Sequence, residues 1–212
     1  MVRLAGAGKT YTASRVIDSF QDPTSEKLAY FYCNRAEENR RDPESVLKTL
    51  VQQLAKSESD EERLLTPVVD LYQDREKSGQ KSSRLSLRES QELLIQLTDI
   101  YPQTTIICID ALDEVENGSR IELLKSLRQV IERSKNLVKI FATTRMDPDI
   151  LLQFKKFPRI ELLPDDNVDD IDQFVGKKVQ SVIDDGQLLN GDVPNDLKVE
   201  ICDTLRKRSK GM

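Results

Sequence analysis

The 212-residue chain contains no histidine and no tryptophan, and only 5% of its residues are aromatic. Without histidine there can be no Ser-His-Asp or Cys-His nucleophile and no His-ligated metal centre. Cysteine is scarce: Cys33, Cys108 and Cys202 form no CxxC pair, and their number is odd. Cys33 and Cys108 sit in apolar runs, which predicts reduced, buried thiols and a cytoplasmic protein. Long hydrophobic runs are also missing. Ile100 to Ile109 is an uncharged stretch of ten residues, too short to span a bilayer. Met1-Val2-Arg3 leads straight into glycines and Lys9, not into a signal-type apolar core. Nor is there an excess of positive charge, since 32 Lys+Arg face 37 Asp+Glu for a net charge of −5. That balance argues against nucleic-acid and membrane-surface partners. With 38% hydrophobic and 33% charged residues, the chain reads as a helix-rich globular protein of one domain or slightly more.

Apolar patterning predicts strands at Lys27 to Cys33, Thr104 to Ile109, Val138 to Thr143 and Arg159 to Leu163. Between them the pattern turns helical. A helix follows from Thr10 to Phe20, and a charged loop spans Asn34 to Arg41. Asp42-Pro43-Glu44 opens a helix that places Val46, Leu47, Leu50, Val51 and Leu54 on one stripe. A weaker helix is expected from Glu61 to Tyr72, and Ser86-Leu87-Arg88-Glu89 has capping-box spacing for one running to about Ile100. Another, Arg120 to Arg133, is expected to bury Ile121, Leu124, Leu127 and Ile131. A short helix follows Asp147-Pro148. After Pro164 two helices, 168 to 184 and 194 to 209, come without a strand between them. The expected organisation is a parallel α/β core over 1–164 and the beginning of an all-helical subdomain over 165–212.

In such sheets ligands sit beyond the carboxyl ends of the strands, so the residues just after each strand carry the chemistry. Gly6-Ala7-Gly8-Lys9-Thr10 matches the second half of a phosphate-binding loop. Glycines let successive backbone N–H groups turn toward phosphate oxygens, Lys9 would reach the β- and γ-phosphates, and Thr10 would hold Mg²⁺. The nucleotide-binding set is Gly6, Ala7, Gly8, Lys9, Thr10 and Tyr11. The alternative is a flexible Gly-Ala turn beside a surface lysine. Two features depart from the full motif: Arg3 stands where it has glycine, and only Met1-Val2-Arg3 precede the loop, so the strand that carries it is expected to be largely missing.

Asp110-Ala111-Leu112-Asp113-Glu114 follows the most hydrophobic strand. Asp110 can hold Mg²⁺ together with Thr10, and Asp113 or Glu114 could orient or deprotonate an attacking water. An exposed helix cap is the competing explanation. Arg145, after the next strand, could contact a γ-phosphate or simply be solvated. The basic cluster Arg206-Lys207-Arg208 suits a helix C-terminus, and Asp165-Asp166 with Asp169-Asp170 suit a helix N-terminus. The aromatic residues around position 30 read as core.

Taken together, these segments resemble the NACHT-type P-loop ATPases of the STAND signalling class, and in particular the fungal nephrocystin 3-like N-terminal domains. Gly6 to Thr10 is similar to their P-loop, and Asp110 to Glu114 to their Walker B segment. Thr143-Thr144-Arg145 resembles their sensor motif, and Leu28 to Cys33 with Asn39 to Pro43 their second strand and following helix. Lys210-Gly211-Met212 resembles the start of a further helical region. The resemblance implies a three-layer parallel sheet in which the P-loop strand lies between two of the strands identified above, leaving a gap where it is missing. It also implies a switch that binds ATP or ADP, with GTP an open alternative, together with Mg²⁺. Hydrolysis would be slow if it occurs at all, and nucleotide state would be coupled to self-association and to effector and repeat domains of a longer parent protein. Hydrolysis is expected only if the first strand is supplied, and binding of Mg-ATP by this chain is expected to be weak or undetectable. The competing expectations are a non-catalytic fragment acting through protein contacts and, less in keeping with the paired acids, a small-molecule kinase.

Overall fold

Strands form where β-branched and aromatic residues concentrate, and each is followed by a polar turn. The structure, a computed structural model, describes residues 8–21, 26–56, 63–79, 84–161 and 168–209. Contacts divide the chain into two units, Thr10–Phe157, and Pro158–Met212 together with Met1–Lys9.

The first unit is built on three parallel strands, β1 (Lys27–Tyr32), β2 (Thr105–Asp110) and β3 (Val138–Ala142), in the order β1-β2-β3. Thr105 is in register with both Lys27 and Val138; β1 and β2 end together at Tyr32 and Asp110, and β3 one residue earlier, at Ala142 opposite Ile109. All six residues of the central β2 are buried, the pattern of a parallel strand covered on both faces. Side chains alternate between those faces. Ile107 and Ile109 join Ala29 and Phe31 in the larger core, beneath α3 (Pro43–Leu54), α5 (Leu87–Ile100) and α6 (Asn117–Arg133). Cys108 faces the other way, against Ala13 and Ile17 of α1 (Lys9–Ser19). Asp110 shares the parity of Cys108, which turns its carboxylate toward the start of α1.

Local chemistry accounts for the helix ends. The Asp42 carboxylate accepts from the Ser45 N–H at 2.9 Å, and Pro43 occupies the first turn of α3. At α5 the capping box is complete: the Ser86 hydroxyl accepts from the Glu89 N–H at 3.3 Å, and Glu89 accepts from the Ser86 N–H at 2.9 Å. Glu89 also accepts from the Arg75 guanidinium of α4 (Thr66–Lys77) at 2.8 Å. These bonds, Arg75 first and Ser86 second, outweigh burial and draw the Glu89 carboxyl down to about 2. The outer edge of β1 is closed by a side chain. The Gln53 amide accepts from the Tyr30 N–H and donates to the Tyr30 carbonyl, both at 2.8 Å, in place of a neighbouring strand.

Several expectations change. Asn34 to Arg41 is not all loop, because Glu38–Arg41 forms the short helix α2. The helix expected at Glu61 to Tyr72 runs instead over Thr66–Lys77, with Pro67 in its first turn and no free N–H there to continue it backward. Residues 57–62 lie outside the described residues. On α6 the buried stripe is Leu123, Leu124, Leu127 and Val130, while Ile121 is 40% exposed and Ile131 half-buried. The helix also begins three residues earlier than expected, at Asn117. Tyr30 is exposed, being on the edge strand, while Phe31 is core. No gap falls among β1, β2 and β3, which pair directly. Of the expected fourth strand, Arg159 to Glu161 make no strand pairing, and Leu162 and Leu163 lie outside the described residues.

In the second unit α8 (Val168–Asp184) and α9 (Asn195–Ser209) pack Val175, Val179 and Ile183 against Ile201 and Cys202. Arg206 pairs with Asp172 at 2.9 Å and Asp203 at 3.1 Å, and the Lys198 ammonium donates to Gln180. Gly191 (φ +87) allows the return turn, where a Cβ would come within 3.2 Å of the Ile183 carbonyl oxygen. Asp169 and Asp170 occupy the first turn of α8, while Asp165 and Asp166 lie outside the described residues. The short helix α7 (Pro148–Gln153) belongs to the first unit and buries Ile150. Cys33, Cys108 and Cys202 are all free and buried. Among the described residues no helix is long and apolar enough to cross a membrane.

Candidate functional site

The carboxyl ends of β2 and β3 and the start of α1 bring a set of polar groups together. Asp110, the last residue of β2, is buried, and both of its oxygens are engaged. The Thr10 hydroxyl donates to Oδ2 at 2.7 Å and the Thr143 hydroxyl donates to Oδ1 at 2.5 Å. Thr143 follows β3 directly, and its Oγ1 also accepts the Ala111 N–H at 2.9 Å. Ala111 is left-handed at φ 55, ψ 48, which ends the strand and turns the chain into a 3-10 turn, Leu112–Glu114. The Leu112 N–H then bonds the Thr143 carbonyl at 2.9 Å. The turns after β2 and β3 are thus stitched together by both main chain and side chain.

Of the other expected site residues, Gly8 has φ 76 and Lys9 is the first residue of α1. The positive φ of Gly8 is one that glycine adopts without strain. Gly6 and Ala7 lie outside the described residues. Tyr11 is 71% exposed. Asp113 is buried, and its Oδ1 accepts the Arg145 N–H at 2.9 Å, with Arg145 Nε at 3.3 Å from Oδ2. Glu114 lies 3.7 Å from the same guanidinium and accepts the Arg35 N–H at 3.1 Å. Thr10 and Asp110 therefore meet, and separately Asp113, Glu114 and Arg145 meet. In this arrangement both acids are held by basic or N–H donors.

The concentration of carboxylates also acts on the neighbouring thiols. Burial pushes the Cys33 thiol up to about 12, with Asp110, Glu114 and Asp113 adding to the effect. Burial and then Asp110 push Cys108 up to about 11. Neither is a nucleophile at neutral pH.

Three residues here carry more of the geometry than their sequence positions suggested. Thr143 entered only as part of a Thr-Thr-Arg run. Arg35, in the loop after β1, donates from Nη2 to the Asp113 carbonyl at 2.9 Å. Arg120 donates to the same carbonyl from Nη1 at 2.9 Å and lies on the buried stripe of α6. A readable signal for Arg120 existed: a cation in the first turn of a helix opposes the helix dipole, and it occurs three and four residues before buried leucines.

A carboxylate and a hydroxyl are the hard oxygen donors that suit Mg²⁺, which takes one or two protein ligands and completes its shell with water and phosphate oxygens. A threonine hydroxyl that donates its proton to Asp110 keeps lone pairs free for a cation. Thr10 and Asp110 are thus residues that could hold Mg²⁺. Among the described residues no cluster of three or more Cys, Asp or Glu side chains could hold a metal ion by itself.

Fold and site define a parallel α/β domain whose polar groups gather beyond the carboxyl ends of its strands. A family model described as "Nephrocystin 3, N-terminal" matches residues 3–145, and the chain belongs to that family. No curated protein matches the chain.

Proposed function

We propose that residues 1–164 form a P-loop nucleotide-binding core of NACHT type, and that the protein is a switch responding to ATP or ADP with Mg²⁺. The observation that carries this reading is the 2.7 Å hydrogen bond from Thr10, at the start of α1, to Asp110, at the end of the central strand. Chain positions 100 apart are brought together as a hydroxyl–carboxylate pair beside a glycine with φ 76. Gly6 to Thr10 would supply N–H donors and the Lys9 charge to the phosphates, with Tyr11 next to them. Thr10 and Asp110 would hold the cation. Mg²⁺, when bound, neutralises charge on the β- and γ-phosphates.

Thr143 holds the Asp110 carboxylate in one orientation, so the cation would meet a prearranged ligand. Arg145 shares its charge with Asp113 and Glu114, and a γ-phosphate within its reach would compete for the same guanidinium. Asp113 or Glu114, released from it, could then accept a proton from water. With both acids held as they are, hydrolysis would be slow if it occurs at all. The longer parent protein would translate nucleotide state into self-association and contact with effector or repeat domains.

The test is calorimetric titration of the 212-residue chain with ATP, with Mg²⁺ and with EDTA. Mg-dependent binding is expected, weakened about tenfold or more by Lys9→Ala and by Thr10→Val. Absence of any Mg-dependent heat at millimolar nucleotide, or binding indifferent to both substitutions, refutes the reading.

A further inference from the structure

Arg120 is the most deeply buried cation in the sheet-bearing unit for which ion pairs are described, with 4% of its side chain exposed. Its position in the first turn of α6 is electrostatically unfavourable, so the helix itself does not explain it. What it touches lies on two other segments. Nη1 donates to the Asp113 carbonyl, in the turn after β2, at 2.9 Å. Nε and Nη2 donate to the two oxygens of Asp149 at 2.8 and 2.9 Å, a bidentate fork, and Nη2 lies 3.0 Å from Asp147. Asp147 and Asp149 flank Pro148 in the segment after β3, and the Asp147 N–H bonds the Arg145 carbonyl at 2.8 Å. The pull is felt at Asp149: burial would raise its carboxyl, but the hydrogen bonds and charge of Arg120 hold it below the ordinary value.

A single planar group therefore bridges the turn that bears Asp113 and the segment that bears Arg145. These two residues contact each other directly, through the Arg145 N–H to Asp113 Oδ1 at 2.9 Å. The Asp113 carbonyl takes a second guanidinium donor from Arg35, so the peptide plane between Asp113 and Glu114 is held from two sides. Buried ion pairs add little net stability compared with apolar residues of similar size, but they fix geometry through directional bonds. Arginine meets that need and lysine does not, because only the fork reaches a carbonyl and a carboxylate pair at once.

We propose that Arg120 is a positioning residue that sets the placement of Asp113 and Glu114 relative to Arg145. Its consequence for turnover rests on the nucleotide-binding reading above; its consequence for geometry does not. Arg120 would touch neither nucleotide nor cation. It acts on the acids through the main chain of Asp113 and on Arg145 through Asp147 and Asp149.

The experiment uses the full chain and Arg120→Lys, with Arg120→Met as a second variant in case lysine does not fold. In the nucleotide-free proteins, amide hydrogen exchange is read by NMR at Arg145 and, for comparison, at Ile107 and Ile109 of β2. Protection of the Arg145 amide is expected to fall about tenfold or more, the scale of one lost bond to a charged group, while the β2 amides stay within about threefold. If the wild-type chain hydrolyses Mg-ATP, turnover in the variant is expected to fall by about tenfold or more with binding affinity within about threefold; if it does not, the exchange comparison alone decides. Unchanged Arg145 protection, or an equal loss at β2 and Arg145, overturns the proposal. So does wild-type turnover in the variant. If the wild-type chain binds no Mg-ATP, the nucleotide reading fails, and the exchange comparison alone still decides the role of Arg120.

Discussion

Replacing Thr143 with valine, a residue of the same shape, tests how the Asp110 carboxylate is held. The hydroxyl makes two bonds: it donates to Asp110 Oδ1 at 2.5 Å and accepts the Ala111 N–H at 2.9 Å. The bond to Asp110 is buried and the bond from Ala111 is partly buried. Loss of a hydrogen bond to a charged group removes about 1.5–3 kcal/mol, and an orphaned N–H adds about 1–3 kcal/mol. Valine returns about 0.8 kcal/mol through its extra methyl. The net expectation is a destabilisation of about 2–5 kcal/mol. With a urea slope of about 2 kcal/mol/M for a unit of this size, the unfolding midpoint falls by about 1–2.5 M. Circular dichroism during urea titration reads this directly. Thr143→Ser keeps the hydroxyl and loses only a methyl, so its destabilisation should stay near 1 kcal/mol. A valine variant within about 0.5 kcal/mol of wild type, or a serine variant worse than valine, would refute the assignment of Thr143 as the group that orients Asp110.

Two further outcomes follow from bonds at the rim of the sheet-bearing unit. The Glu89 carboxyl is drawn from its ordinary value of 4.5 to about 2, so its contribution is fully present above about pH 4.5 and disappears as pH falls through about 2. Glu89→Gln should therefore cost about 1 kcal/mol at pH 7, kept small by solvent screening of a side chain that is 35% exposed, and the gap from wild type should close near pH 2. A gap independent of pH in urea titrations across that range would assign the effect to shape, not charge. Gln53→Ala should cost about 1 kcal/mol and, by uncovering Tyr30, raise concentration-dependent light scattering. Unchanged scattering would show that the β1 edge is guarded by something else.

Much of the fold was readable because the signals were local. The Asp42 cap and the Ser86–Glu89 box set helix starts within a turn, where hydrogen bonds of one residue to its third neighbour decide the outcome. The run Thr105–Asp110 could be recognised as a central strand because burial on both faces demands apolar residues at every position. The face of α6 was harder to read. Ile121 and Leu123 are equally apolar, and only the packing direction of the sheet chooses between them. At the site, Asp110 and Arg145 stood out because they follow strands. Thr143, Arg35 and Arg120 did not, because their roles are bonds to main-chain groups and carboxylates distant in sequence. Arg120 meets Asp149 across 29 positions and Arg35 meets Asp113 across 78. The meeting of Thr10 with Asp110 was anticipated as a shared cation site; their direct hydrogen bond was not.

Ala111 holds a left-handed conformation that disfavours any residue with a Cβ by about 1 kcal/mol relative to glycine. Glycine there would offset part of that through the added freedom of its unfolded chain, and the strain remains the larger effect. The alanine also narrows the local energy well. Glycine can wander between several backbone basins, whereas alanine has no comfortable basin close to the one it occupies. The strand end that carries Asp110 and the turn that carries Asp113 are thus joined through a residue with little backbone freedom.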